Sequence, residues 1–278
     1  MGYKTILTVL TGAGQDQLLQ AAIDVARDRD AHLDVFCLGV DHAQTGYYYA
    51  GASAHVFQES IDRSMQMAEE LERATRARLE AEDIRWSVES AVAHVGGLTN
   101  LIGMRARFSD LVVMGRPYGD EAGPDGEAVT EAALFDGSAP VLIVPGQGLP
   151  GGFGKKILIA WNQSEEAMQA VRRAMPLLKA AAAVEITVID PKASGPERSD
   201  PGGALCQMLT RHGVRAEIAV LARTRPQISE MISHRAVEIG ADLIVMGAYS
   251  HSRFRQAILG GATRNMLTDT QIPVLMAR

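Results

Sequence analysis

The chain has 278 residues, enough for one large domain or two small ones at roughly 100–200 residues per domain. Hydrophobic residues at 47% and charged residues at 22% are ordinary globular values and argue against a disordered chain. With 27 Lys+Arg against 33 Asp+Glu the net charge is −6, which disfavours nucleic acid and anionic membranes as partners.

The first run, Lys4-Thr5-Ile6-Leu7-Thr8-Val9-Leu10, reads as a strand, and Met1–Leu7 lacks the long apolar stretch of a signal peptide. No 18 apolar residues run together anywhere, so a soluble, cytoplasmic protein is expected. Two cysteines, Cys37 and Cys206, cannot form a disulfide framework; both sit in apolar runs and read as small core residues in a reducing compartment. After the second strand comes extra material, including Tyr47-Tyr48-Tyr49-Ala50-Gly51. A long helix follows over about 57–82, with Ile61, Met65, Met67, Ala68, Leu71 and Leu79 expected largely on one side. Leu111-Val112-Val113-Met114 is apolar without alternation, as in a parallel strand covered on both faces. The Pro/Gly-rich stretch 145–152 marks a linker. Beyond it, strands are expected near 156–161, 184–189, 215–221, 242–246 and 273–277. Helices are expected near 164–180, 202–212, 226–239 and 260–268.

The two halves repeat. Lys4-Thr5-Ile6-Leu7 is echoed by Lys155-Lys156-Ile157-Leu158. Asp110-Leu111-Val112-Val113-Met114-Gly115 returns 132 residues later as Asp242-Leu243-Ile244-Val245-Met246-Gly247. Pro140-Val141-Leu142-Ile143 returns 133 residues later as Pro273-Val274-Leu275-Met276. Strand–helix alternation within each copy implies right-handed crossovers and a doubly wound α/β sheet.

In such a sheet, ligands bind beyond the carboxyl ends of the strands. The second half offers Asn162-Gln163-Ser164 after its first strand, Asp190 after its second, and Gly247-Ala248-Tyr249-Ser250 after its fourth. Further on, Gly260-Gly261-Ala262-Thr263 opens a helix, where uncrowded backbone N–H groups and a partial positive charge suit an anion. Arg253, Arg255 and Arg264 add positive charge nearby. Asp190 and Asp242 are the candidates to hold Mg²⁺, although Asp242 opens its strand, away from the crevice, and reads as structural. His251 reads as an exposed loop histidine. His42 and His94 follow apolar runs of the first half, where they could line a pocket or be solvated. The seven histidines show no paired metal-ligand spacing, and no positioned base for attacking water is visible.

The pattern of Met-Gly closing an apolar strand, then Ser250, nine residues, and Gly260-Gly261-Ala262-Thr263 resembles the nucleotide loop of the universal stress protein family. The opening strand and the terminal Pro-Val-Leu strand resemble that family too, over essentially the whole chain. The resemblance implies two tandem Rossmann-like α/β domains, 1–147 and 153–278, each a five-stranded, mostly parallel sheet flanked by helices. It also implies a stress-response module that binds an adenine nucleotide, ATP or ADP with Mg²⁺ as a candidate companion. Carried over, the contacts are Ala160, Asn162, Val188, Met246, Gly247, Ser250, Gly260, Gly261, Ala262 and Thr263. Asn162 stands where the family has Asp, and Ser250 where it has a second loop Gly.

In the first half, Glu127-Ala128-Val129-Thr130 takes the place of Gly260–Thr263, with Asp120, Glu121 and Asp125 close by. Pro117 changes the backbone after Gly115, Thr11 stands where the family has Asp, and Gly39 takes the place of Val188. Nucleotide is therefore expected in the second domain alone, with no catalytic residue and at most weak ATP hydrolysis. A ligand-free scaffold acting through surfaces such as Tyr47–Tyr49 is the alternative. A third reading, an enzyme of the broader adenine-nucleotide hydrolase group, lacks an activating lysine or a second substrate pocket. The halves are expected to pair as an intramolecular pseudo-dimer through Leu142-Ile143-Val144 and Val274-Leu275-Met276, with two chains then free to form a homodimer.

Overall fold

A computed structural model of the chain describes residues 2–43, 54–119, 122–123, 125–191, 199–248 and 262–278. It divides into two compact units. One comprises 3–117 with 121–139; the other comprises 140–278 with 1–2 and 118–120.

The first unit runs β1 (Thr5–Leu10), α1 (Asp16–Arg29), β2 (His32–Asp41), α2 (Ala54–Leu79), β3 (Arg85–His94), α3 (Leu98–Ala106), β4 (Leu111–Gly115) and α4 (Gly126–Glu131). Its strands lie in the order β3-β2-β1-β4, all parallel. Steps from β1 to β2 and from β2 to β3 move the same way across the sheet. Right-handed crossovers therefore put α1 and α2 on one face, and α3, which returns to β4, on the other. Coverage on both faces explains why Leu111, Val112, Val113 and Met114 are all buried.

Helix α2 departs from the expected pattern. Ala68 and Leu79 are buried, but Ile61, Met65 and Met67 are exposed, at 37%, 47% and 39%. The buried stripe is instead Ser64, Ala68, Thr75 and Leu79. The reason lies in β2: a Cβ on Gly39 would collide with the backbone carbonyl of Ser64. The absent side chain lets α2 lie close on the strand, so small residues face the sheet and the larger ones turn outward.

The second unit contributes β5 (Val141–Val144), β6 (Lys156–Trp161), α5 (Glu165–Ala180), β7 (Ala183–Ile189), α6 (Gly203–Arg211) and β8 (Ala216–Leu221). These are followed by α7 (Ile228–Ile239), β9 (Leu243–Gly247), α8 (Ala262–Asp269) and β10 (Val274–Ala277). Its strand order is β5-β10-β9-β6-β7-β8. Every pairing from β10 to β8 is parallel, whereas β5 runs antiparallel to β10, with Leu142 opposite Leu275. The last strand of the first repeat thus lies beside the last strand of the second.

One device recurs in both repeats. The Asp110 carboxylate accepts the Lys4 and Thr5 amides at 2.7 and 3.0 Å. The Asp242 carboxylate accepts those of Gly154, Lys155 and Lys156 at 2.9, 3.0 and 3.2 Å. Each ties the start of a repeat's fourth strand to the start of its first, so Asp242 is structural. Among the described residues no helix is long and apolar enough to cross a membrane.

Candidate functional site

Strand β6 has β7 on one side and β9 on the other. The crossover through α5 leaves toward β7, so the chain's direction across the sheet reverses beside β6, the place where an open α/β sheet forms a crevice. A cavity of about 260 Å³ lies there. Its lining includes Ala160, Asn162, Met246, Gly247, Ala262 and Thr263, six of the ten residues proposed from sequence. Ser250, Gly260 and Gly261 fall outside the described residues, as do His251, Arg253, Arg255 and Tyr47–Tyr49.

The tenth, Val188, is buried and absent from the lining; its neighbours Thr187 and Ile189 are on it. Successive strand side chains point to opposite faces. A Cβ on Gly202, at the start of α6, would lie 3.3 Å from Ile186 Cγ2 and 3.5 Å from Val188 Cγ2. Val188 therefore faces α6, and the crevice meets the other face of β7. Register corrects the match to the first repeat as well. Trp161 pairs with Val188 as Leu10 pairs with Cys37. The counterpart of Val188 is Cys37, two residues before Gly39.

The loop after β6 is held by its own side chains. Asn162 Oδ1 accepts the Ser164 amide at 3.1 Å, and Ser164 Oγ caps α5 by accepting the Ala167 amide at 3.1 Å. Asn162 Oδ1 keeps a second lone pair, and its amide N–H₂ can donate. Gly247 is needed for packing: a Cβ there would stand 2.5 Å from the Ala167 nitrogen, in the first turn of α5.

Sequence reading missed the far wall, Ile228 and Ile232 on α7. Their i,i+4 spacing marked an apolar helix face but not what that face covered. Helix α7 is tied to β7 by a fork of hydrogen bonds. Arg235 Nε and Nη2 donate to Glu185 Oε1 and Oε2 at 2.9 and 2.7 Å, and the Thr187 hydroxyl donates to Oε1 at 2.8 Å. Burial pushes the Glu185 carboxyl up, but the Arg235 and Thr187 bonds outweigh it and hold the group below the ordinary carboxylate range. The mouth is formed by Ala262 and Thr263 at the N-terminus of α8. At the next residue, the Arg264 guanidinium stacks over the Tyr118 ring at 4.7 Å.

The equivalent region of the first unit is built differently. Helix α4 runs straight on into a wider π-helical turn over Ala132–Asp136, and Asp125 stands just before α4, 5% exposed. Its carboxylate lies 3.4 Å from His42 Nε2. His94 is used locally: Nε2 meets the Ala43 carbonyl at 2.7 Å, and Nδ1 accepts the Gly96 amide at 3.2 Å. Among the described residues no group of three or more His, Cys, Asp or Glu is placed to hold a metal.

Residues 154–278 match the model of the universal stress protein family. A universal stress protein from a Synechocystis strain is 33% identical over 76 residues, covering 27% of this chain. That stretch is only 25% of the length of this curated relative. The crystal structure of a universal stress protein from Archaeoglobus fulgidus has a TM-score of 0.71 at 16% identity, covering 99% of this chain and 96% of its own. A functionally unknown protein from Pseudomonas aeruginosa PAO1 has a TM-score of 0.61 at 15% identity, with 99% and 92% covered. At those identities the likeness is one of fold, and it extends through both repeats.

Proposed function

This chain carries a universal stress protein family domain in its second half, and from that premise we propose that the crevice beside β6 binds one adenine nucleotide, ATP or ADP, whose occupancy governs a regulatory module. The observation that carries this reading is the pairing of an apolar slot with a helix N-terminus in one cavity. Ile189, Ile228, Ile232 and Met246 offer a flat base an apolar berth. Ala262 and Thr263 begin α8, where the positive end of the helix dipole favours a phosphate. Ser250, Gly260 and Gly261 would complete that cradle. Asn162 would donate to the ligand, and Thr187 and Ile189, rather than Val188, would line the base's berth. Any Mg²⁺ would arrive on the nucleotide's own phosphates.

Binding is confined to the second half on this reading. In the first, the Asp125 carboxylate beside His42, together with Glu127, brings negative charge to the place where an anion would lie. The antiparallel pairing of Val141–Val144 with Val274–Ala277 supports an association of the two repeats through their last strands.

Mass spectrometry of ligand released from gently purified protein tests the assignment. ATP or ADP should co-purify, and the apo chain should gain thermal stability in millimolar ATP. Clean apo protein with no thermal shift would instead make this a ligand-free scaffold.

A further inference from the structure

The first unit contains a larger cavity, about 450 Å³, on the opposite side of its sheet from the crevice face, between the β1–α1 loop and α2. We propose that it is a second ligand site, taking a small apolar molecule with an amine or other cationic end.

The cavity arises from identifiable differences between the repeats. Five residues, Thr11–Gln15, join β1 to α1, whereas three, Asn162–Ser164, join β6 to α5. Gly12, Ala13 and Gly14 bring no bulky side chain into the space, and Gly14 has a φ of +83° that favours glycine. Gln15 holds the loop in shape, its Oε1 accepting the Thr11 and Gly12 amides at 2.8 and 3.3 Å. At the strand end, Leu10 occupies the position that Trp161 fills in the second repeat, so the first repeat has an isobutyl group in place of an indole.

The lining gives the ligand's chemistry. Leu10, Leu19 and Thr75 are buried at 3%, 5% and 3%, and form the floor. Met67 and Leu71 of α2 form a wall, which accounts for a large apolar side chain left 39% exposed. The volume lies within the roughly 300–1,000 Å³ of small-molecule sites. Three charged residues line it: Asp16, Glu70 and Arg78. The Arg78 guanidinium is committed, donating to Gln20 Oε1 at 2.5 Å and to Glu82. Asp16 and Glu70 form no ion pair among the described residues. Asp16 offsets the positive end of α1, and Glu70 leaves the mouth negative. An apolar body with a positive end matches such a site, and an apolar anion does not.

The test uses the full chain and two probes of one shape, 1-naphthylmethylamine and 1-naphthaleneacetate, titrated by calorimetry and by ligand-observed NMR. The amine should bind at one site per chain, about fivefold or more tighter than the acetate, the factor expected of one partly screened carboxylate. Glu70→Gln should remove that preference. Ala74→Trp, placing an indole into the cavity from an exposed helix position, should abolish amine binding while nucleotide binding in the second unit is unchanged; Met67→Trp serves the same purpose should Ala74→Trp misfold. Absence of saturable amine binding, equal or tighter binding of the acetate, or binding that survives both tryptophan variants would overturn the proposal.

Discussion

Single residues at two positions in the first unit make the packing legible. Gly39 is required by the Ser64 carbonyl, which a Cβ would strike. Gly39→Ala should lift α2 from β2 and cost about 1–3 kcal/mol, the range of an overpacked core, read by urea denaturation. Cys37 lies two residues earlier, fully buried, with its sulfur 3.7 Å from the Thr75 hydroxyl. Burial pushes its thiol up to about 11, a change that the Thr75 hydrogen bond only partly opposes. A thiol that stays protonated and covered is a poor nucleophile. In native protein at pH 8, iodoacetamide should therefore alkylate the half-buried Cys206 and leave Cys37 unmodified, as peptide mass mapping would show. Labelling of Cys37 at a comparable rate would mean that α2 opens readily.

Elements meet at the Glu185–Arg235 fork, which joins β7 to α7 and so spaces the two walls of the crevice. The Glu185 carboxyl titrates below its ordinary value in the folded chain. Its stabilisation is therefore complete above the unfolded glutamate range and disappears as pH falls through the lower folded value. Glu185→Gln should cost about 1–3 kcal/mol at pH 7, as expected when a charged hydrogen-bonded partner is lost. The difference from the wild-type chain should begin to shrink near pH 4, where the unfolded carboxyl takes up its proton, and close only below the lower folded value. Chemical denaturation at pH 7 and pH 3.5 measures both. A gap of equal size at the two pH values would show that the fork contributes by shape rather than by charge. Because α7 carries Ile228 and Ile232 into the cavity, the same variant should also weaken nucleotide binding at pH 7.

At the scale of the whole molecule, two copies of one unit have diverged in opposite ways. The second keeps a cavity at the strand ends with α8 beside it, while the first has Asp125 beside His42 and Glu127 in the first turn of α4. On the proposed reading, calorimetry on the intact chain should return about one nucleotide site, since Glu127 in the first turn of α4 opposes an anion in the first repeat. Gly261→Glu should abolish it by bringing an acidic residue into the loop, and Glu127→Ala should leave the stoichiometry at one. Two equivalent sites would refute this asymmetry. The association of repeats through their last strands is open to small-angle scattering, where an elongated chain with separated halves would exclude it.

Repeat and strand positions were legible in the order of residues. Leu111–Met114 and Leu243–Met246 carry their burial in composition, since a strand covered on both faces needs apolar side chains throughout. Asn162, Met246 and Gly247 could be brought together from sequence because crossover topology directs strand exits to one edge of the sheet, whereas Ala262 and Thr263 joined them through the resemblance to the universal stress protein loop. The same uniformity hid which face of β7 the crevice uses. Thr187, Val188 and Ile189 are all compatible with burial, so periodicity is silent and only packing against α6 turned Val188 away. Register across β1–β2 and β6–β7, a long-range hydrogen-bond pattern, made Cys37 rather than Gly39 the counterpart of Val188. The buried stripe of α2 was decided by a missing Cβ on another strand, and the cavity beside it by a loop two residues longer. Local pattern specifies each element and its approximate ends; which side chains share a space depends on contacts between segments far apart in the chain, and these only the tertiary structure decided.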